Sequence, residues 1–236
     1  PSIRRAIILI HAKQPELAEK ELRGDLDAMN ERQREAALFI AQQYNMHSLG
    51  IVISNLIKDN DREIYYDCIA YPDPDWQPKS GWRVDRALVW ALVESGFNAK
   101  AQSGAGAKGL MQLMSSTAIY VTKDRRLRRD TSPLFETEYN LETGQRYVSY
   151  LMEKDFIGNN LFFLATAYNA GPGNLYKWQK KVKYSNDPLM FIEAIPSRQT
   201  RIYIERVLAN FWVYNARFGQ PSESLEALIH SRWPTL

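Results

Sequence analysis

The sequence has few of the residues that build metal sites and disulfide frameworks. Its 236 residues include one cysteine and three histidines. Cys68 cannot form a bridge within the chain, and we expect a small, partly or fully buried thiol there. His11, His47 and His230 lie far apart, and neither an HExxH nor a CxxC spacing is present. The sequence therefore predicts no metal and no cofactor.

Strong net charge and long apolar runs are also missing. A net charge of +3 and a pI near 8.9 fall short of a dedicated nucleic-acid binder, so no nucleic-acid partner is expected. No stretch approaches the roughly 18 to 20 apolar residues of a membrane span, so no transmembrane segment is expected. Arg4 and Arg5 precede only a short apolar run without a cleavage site, so we expect no signal peptide in this sequence.

Strand patterns are absent as well, because no alternating run of apolar and polar residues is long enough. Apolar residues recur instead at helical spacing, which predicts an all-α chain. Pro15 marks a helix start, and Asn30 with Gln33 three positions later is typical of a helix N-cap. In the first part of the chain the predicted helices are 2–13, 15–29, 31–45 and 47–58.

A proline-rich segment divides the chain. Three prolines fall within residues 72–78, and helices cannot continue through them. We place the domain boundary there, which predicts a helical linker or superhelix end over 1–75 and a compact helical domain over 76–236. The helices predicted for this domain are 82–95, one starting at 115, 140–154, 160–169 and 198–217.

Glu94 directly follows seven consecutive apolar residues, 87–93. A carboxyl group at the end of a buried helix should have a raised pKa, which is the condition for a general acid. A helix-terminal Glu is more often a surface residue, but the apolar run argues against exposure here. We therefore interpret Glu94 as a candidate catalytic residue.

The next motif is a glycine-rich stretch that runs from Ser103 to Met114. It lacks the phosphate-loop pattern and follows no strand, so a nucleotide site is not expected. Its glycines can let the backbone approach a bulky ligand, with Gln112 and the Met114 sulfur lining a groove. The alternative is that Met and Leu at this spacing simply pack in the core.

Two further clusters complete the set. Tyr168 and Asn169 precede a Gly-Pro-Gly stop at 171–173, from which the phenol can project into a cleft and hydrogen-bond a carboxyl group. Glu193 stands among apolar residues before a proline. Tyr168 could equally be a core residue, and Glu193 could be ion-paired with a nearby arginine.

These clusters together resemble a known family. Segments 94–98 (ESGFN), 109–114 (GLMQLM) and 167–173 (AYNAGPG), followed by the Glu193 segment, are similar to the ordered motifs of the soluble lytic murein transglycosylases. That family has a lysozyme-like, goose-type catalytic domain. The resemblance covers about residues 76–220, and more faintly the helices before it resemble the end of that family's α-superhelix.

The resemblance implies cleavage of the β-1,4 bond between N-acetylmuramic acid and N-acetylglucosamine in peptidoglycan, giving a 1,6-anhydromuramoyl end without water. It implies that Glu94 is the sole catalytic carboxyl, acting first as acid and then as base, and that the Tyr168 hydroxyl bonds it. Periplasmic location is inferred from this substrate. The positions that the resemblance assigns to glycan binding are Ser103, Gln112, Met114, Tyr168, Asn169 and Glu193.

The acidic residues are consistent with a single-carboxylate mechanism. Ordinary glycosidases need two carboxyl groups, which lie about 5 Å apart in retaining enzymes and about 6.5 to 9.5 Å apart in inverting enzymes. Asp124 and Asp130 flank a basic run and should be solvated, Glu142 sits near a polar helix start, and Glu193 is the only rival in an apolar setting. Two alternatives stay open: a goose-type hydrolase that adds water, and a non-catalytic glycan-binding module.

Overall fold

The computed structural model describes residues 1–57, 69–93 and 95–236. Cys68 and Glu94 lie outside the described residues. The chain divides into two compact units, one of Pro1–Asp75 with Gly96–Asn98 and one of Trp76–Ser95 with Ala99–Leu236. Within the described ranges the regular structure is helical, and the β-pairing consists of isolated bridges such as Gln102 with Lys108. The all-α prediction is confirmed.

The first unit consists of paired helices. The helix α1 (Ser2–His11) packs against α2 (Pro15–Asp25), and α3 (Glu31–Gln43) packs against α4 (His47–Ile57). Asn30 and Gln33 form a complete capping box at the start of α3, since each side chain accepts a hydrogen bond from the other residue's backbone N–H. Pro15 occupies the first position of α2.

The second unit is built around the buried helix α5 (Arg86–Leu92) and the long helix α11 (Arg198–Arg217), which pack against each other. The helix α11 also contacts α8 (Leu161–Ala170), and α7 (Thr137–Met152) packs against both α6 (Ser115–Thr122) and α8. Three further α-helices of this unit are Pro172–Lys181 (α9), Pro188–Ala194 (α10) and Glu223–Ile229 (α12).

The helix α5 is shorter than the predicted helix over 82–95. It begins at Arg86 because the Asp85 carboxylate accepts a hydrogen bond from the Leu88 N–H and caps the helix. It ends at Leu92, and Val93 is already extended. Every residue of 87–92 is buried, so the apolar run does form the core of this unit.

The Gly-Pro-Gly stop at 171–173 ends one helix and starts another. Gly171 closes α8 with a φ of +85°, and Pro172 occupies the first position of α9. The helix α9 was not predicted from the sequence. Among the described residues, no helix combines the length and the apolar character that a bilayer crossing requires.

Candidate functional site

Five of the predicted site residues line one open groove of about 450 Å³ in the second unit. Other side chains line the groove as well, including Thr117, Tyr147 and Gln199. None of the described residues that line it carries a charge. This surface suits a neutral ligand rich in hydroxyl and amide groups. The predicted residues in it are Ser103, Gln112, Met114, Tyr168 and Asn169.

The glycine-rich segment forms a folded loop along one side of this groove. The Ser103 hydroxyl accepts a hydrogen bond from Ala107 N–H at 3.0 Å, which closes a turn around Gly106. Gln112 has a left-handed backbone, φ +47°, and its amide donates to Gly109 O at 2.8 Å. Met114 is 41% exposed, so it is not a core residue and its thioether is available to a ligand.

A fully buried asparagine of α7 holds this loop from behind. The Asn140 Oδ1 accepts from Met111 N–H at 2.9 Å, and its Nδ2 donates to Lys108 O at 3.1 Å and to Leu134 O at 2.7 Å. Gly109 lies so close that a Cβ there would collide with the Asn140 amide and Leu134 O. The loop is therefore fixed by its glycine and by one amide side chain.

Tyr168 connects the other side of the groove to the same loop. Its ring is buried at the groove wall, and its hydroxyl donates to Met111 O at 2.9 Å. The ring lies 6.4 Å from Tyr203 in a stacked pair and 5.3 Å from Tyr147. Burial raises the pKa of Tyr147 to about 12, with a smaller contribution from the nearby Tyr150. This phenol therefore stays neutral at physiological pH.

Asn169 has a structural partner beside the groove. Its Oδ1 accepts a hydrogen bond from the Thr200 hydroxyl at 3.0 Å, which fixes the start of α11 against the end of α8. This contact brings Gln199 to the groove wall. Gln199 is therefore a candidate binding residue that sequence reasoning missed.

Glu94 itself lies outside the described residues, but the chain on both sides of it is defined. Val93 is buried, and its N–H donates to Trp90 O at 3.2 Å. The Ser95 N–H donates to Leu110 O at 3.3 Å. Because Leu110 belongs to the loop that lines the groove, the backbone after position 94 is held at that loop. The predicted contact of Glu94 with Tyr168 stays a prediction.

Glu193 lies apart from these residues. It is exposed near the end of α10 and is not among the residues that line the groove. The expectation of an apolar setting for this carboxylate is wrong, because the apolar neighbours Phe191 and Ile192 turn inward while Glu193 faces solvent. Arg201, an arginine close to it in the sequence, donates to the Ile195 carbonyl. A contact of Glu193 with glycan stays a prediction.

Glu142 is buried, whereas the sequence analysis placed it near a polar helix start. It is 7% exposed, and it accepts hydrogen bonds from Ser80, Gln145 and Arg146. Burial would raise its pKa, but the hydrogen bonds from Ser80, Arg146 and Gln145 outweigh burial and lower the pKa to about 2. This carboxylate is therefore ionised at neutral pH, where it anchors structure and is unsuited to act as a general acid.

The amide of Gln145 completes the anchor that Glu142 begins. It accepts from Arg83 N–H at 3.0 Å and donates to Gly81 O at 3.0 Å. One helix, α7, thus holds the segment 80–83 that leads into α5 as well as the groove loop. The sequence shows polar residues at helical spacing in this segment, but it does not show that their side chains face inward.

These features belong to a recognised class of domain. Residues 76–191 match the family described as Transglycosylase SLT domain, and this part of the chain belongs to that family. The predicted family is confirmed.

A curated relative and two solved structures extend the match. The soluble lytic murein transglycosylase of Salmonella typhimurium is 38% identical over 208 residues, which is 84% of this chain and 31% of the relative. The 70 kDa soluble lytic transglycosylase of Escherichia coli has a TM-score of 0.75 at 25% identity over 93% of this chain and 36% of that one. The lytic transglycosylase Slt of Pseudomonas aeruginosa, an inactive mutant, has a TM-score of 0.74 with the same identity and coverage. The chain thus spans about a third of the length of these proteins.

Proposed function

We propose that this chain is a peptidoglycan lytic transglycosylase. It cleaves the β-1,4 bond between N-acetylmuramic acid and N-acetylglucosamine and leaves a 1,6-anhydromuramoyl end. The observation that carries the proposal is the convergence of motif residues on one groove, whose described lining residues are uncharged and whose loop also holds the chain at Ser95. The family match and the relatives named as lytic transglycosylases support it.

In this mechanism Glu94 acts twice. As an acid it protonates the glycosidic oxygen, and the bond from that oxygen to the muramoyl C1 breaks. As a carboxylate it then takes the proton of the muramoyl 6-hydroxyl, whose oxygen forms the new bond to C1. No water is consumed. The cationic intermediate is stabilised by the substrate's own 2-acetamido group, a known exception among glycosidases.

The lack of charge among the described lining residues of the groove supports a single-carboxylate mechanism. Hydrolases with two carboxyls need a nucleophile or second base facing the sugar. The described residues that line the groove include no carboxylate. The buried carboxylate Glu142 is not among them, and it already accepts hydrogen bonds from Ser80, Gln145 and Arg146.

The substrate defines the partner and the compartment that we propose. Glycan strands of peptidoglycan are the partner, bound by side chains with hydroxyl and amide groups and by the Met114 thioether. Peptidoglycan lies outside the inner membrane, so the proposed location is the periplasm.

The test uses purified sacculi and the variant Glu94→Gln, with Glu138→Gln as the matched control because Glu138 is an exposed acid in the first turn of α7. We expect Glu94→Gln to bind sacculi normally and to release no sugar, and the control to release sugar at the wild-type rate. Mass spectrometry of the wild-type products should show anhydro muropeptides, lighter by one water than hydrolysis products. Reducing muramic acid ends would instead indicate a hydrolase, and firm binding without release by the wild type would indicate a glycan-binding module.

A further inference from the structure

The sequence has six methionines, and all of them lie among the described residues. Three are buried, one is half-buried and two are exposed, and the exposed ones are Met114 and Met190. Met114 lines the groove, whereas Met190 lies in the first turn of α10 and is not among the lining residues. A thioether can be oxidised to a sulfoxide where an oxidant reaches its sulfur. Met114 is therefore the exposed methionine whose oxidation would change the surface of the groove.

Met111, three residues earlier in the same loop, shows how differently the fold treats two neighbouring sulfurs. It is fully buried, and Gly144 of α7 lies so close that a Cβ at position 144 would collide with the Met111 sulfur. Its backbone N–H donates to the Asn140 amide oxygen at 2.9 Å, which holds this part of the loop in place. An oxidant in solution should therefore reach the Met114 sulfur and leave the Met111 sulfur unmodified.

The backbone at Met114 is held on both sides. The Leu113 N–H donates to Lys108 O at 3.0 Å, and Met114 O accepts from Ala118 N–H at 3.0 Å in the first turn of α6. Neither bond involves the thioether. Because these bonds remain after the sulfur is modified, oxidation should leave the loop in place and change only what a ligand meets at the groove wall.

Oxidation changes the chemical character of this side chain. The sulfur lone pair attacks one oxygen of a peroxide, the O–O bond breaks, and the second oxygen takes up the proton of the first and leaves as water. The sulfur is oxidised by two electrons, and the peroxide is reduced. The apolar and flexible thioether thus becomes a polar, chiral sulfoxide. Its oxygen binds water, which must be removed before an apolar sugar face can pack there.

Two donors of the groove are already engaged and do not compensate for this cost. The Gln112 amide donates to Gly109 O at 2.8 Å and to Ala101 O at 3.3 Å. The Tyr168 hydroxyl donates its one proton to Met111 O at 2.9 Å. A sulfoxide at Met114 could gain a donor from either side chain only by breaking one of these bonds. We therefore expect the sulfoxide oxygen to be hydrated while the groove is empty.

We propose that Met114 is a site of reversible oxidation that regulates the groove. The thioether form binds glycan, and the sulfoxide form binds it weakly. The modifying agents are two-electron oxidants of the peroxide class, and methionine sulfoxide reductases restore the thioether. The inference rests on the proposed function, because it takes the groove ligand to be a glycan strand. It adds a control to that function, since cleavage of peptidoglycan slows when Met114 is oxidised.

The experiment treats the purified chain with hydrogen peroxide and compares each protein with its own untreated sample. The test variant is Met114→Leu, which keeps an apolar side chain of similar size and has no sulfur. The matched control is Met190→Leu, which removes the other exposed methionine at a position outside the groove. All three proteins retain Cys68, so oxidation of that thiol affects them equally.

For the wild type we expect mass spectrometry of peptides to show one added oxygen atom at Met114 and none at Met111. KM for sacculi should then rise about tenfold, equivalent to about 1.4 kcal/mol of binding free energy. The value of kcat should stay unchanged, because no group that transfers a proton has been altered. Methionine sulfoxide reductases A and B should restore the original KM. Met190→Leu should respond as the wild type does, and peroxide should leave the KM of Met114→Leu unchanged.

Several results would overturn the inference. One is a Met114 that gains oxygen no faster than Met111. Another is an oxidised wild type whose KM is unchanged, or a Met114→Leu variant whose KM rises with peroxide as much as that of the wild type. A loss of the helical circular dichroism signal on oxidation of Met114 also counts against it, because the effect is then on the fold and not on binding.

If the proposed function fails, the untreated wild type releases no sugar from sacculi. The oxidation site is in that case tested by co-sedimentation with sacculi, which requires binding but no cleavage. A bound fraction that falls on oxidation in the wild type and not in Met114→Leu supports the inference. A bound fraction that oxidation does not change overturns it.

Discussion

Replacing Asn140 by Asp tests whether one buried amide holds the groove loop in place. The two side chains have the same shape, so the change converts only the Nδ2 donor into an oxygen. The bond from Met111 N–H can persist, while Lys108 O and Leu134 O lose their donor and face a new oxygen. The site is fully buried, so water cannot replace the lost donor.

The expected cost follows from these contacts. Each buried carbonyl that loses its partner costs about 1 to 3 kcal/mol, and a charge beside it costs more, so we expect Asn140→Asp to lose roughly 3 to 6 kcal/mol of unfolding free energy at pH 7. Two carbonyls and burial raise the folded pKa of the new carboxyl above its unfolded value near 3.9. The loss should therefore be smallest below about pH 4, where the protonated group can donate one bond, and should grow as pH rises through the folded pKa.

The measurement is urea unfolding followed by circular dichroism from pH 4 to pH 8, with the difference between variant and wild type taken at each pH. Asn174→Asp is the matched control, because Asn174 is exposed and its amide makes a single bond to Ala170 O. It should change stability by less than about 0.5 kcal/mol. Turnover of sacculi by Asn140→Asp should fall with stability. A loss below about 1 kcal/mol at pH 7, or a loss independent of pH, would contradict the role assigned to Asn140.

Two other substitutions test the remaining contacts. Glu142→Gln should lower the free energy of unfolding by roughly 2 to 3 kcal/mol at pH 7. The folded pKa of about 2 lies below the unfolded pKa near 4.5, so the carboxylate contributes stability above the unfolded pKa that is lost as pH falls toward 2. Urea unfolding between pH 3 and 7 measures this, with exposed Glu153→Gln as control, and equal curves for both variants would refute it. Tyr168→Phe removes the hydroxyl that bonds Met111 O, so we expect slower turnover on purified sacculi with the fold intact by circular dichroism, and an unchanged rate would exclude a role for that hydroxyl.

Much of the helix pattern could be read directly from the residues. The capping box at Asn30 and the proline at position 15 act within one turn of the chain, so their effect does not depend on distant partners. The helix Arg198–Arg217 was predicted with its observed bounds. The helix α5 was predicted too long, because its cap at Asp85 and its extended end at Val93 left no clear trace in the apolar pattern.

The chain order and chemistry of the motifs were also sufficient to predict most of the groove. Ser103, Gln112, Met114, Tyr168 and Asn169 do line one cavity. Which acids are buried was not predictable in the same way. Glu142 and Glu193 both sit on helices beside apolar residues, and local sequence does not distinguish them.

What the sequence by itself determined was the helical class, the family and five of the residues that line the groove, because periodicity, capping and motif order are properties of neighbouring residues. Only the tertiary structure decided that Glu142 is a buried anchor, that Glu193 is exposed, and that Gln199 reaches the groove wall. The physical reason is that burial of a charge depends on its hydrogen-bond partners. For Glu142 these include Ser80, 62 positions away along the chain, and only folding brings the two together.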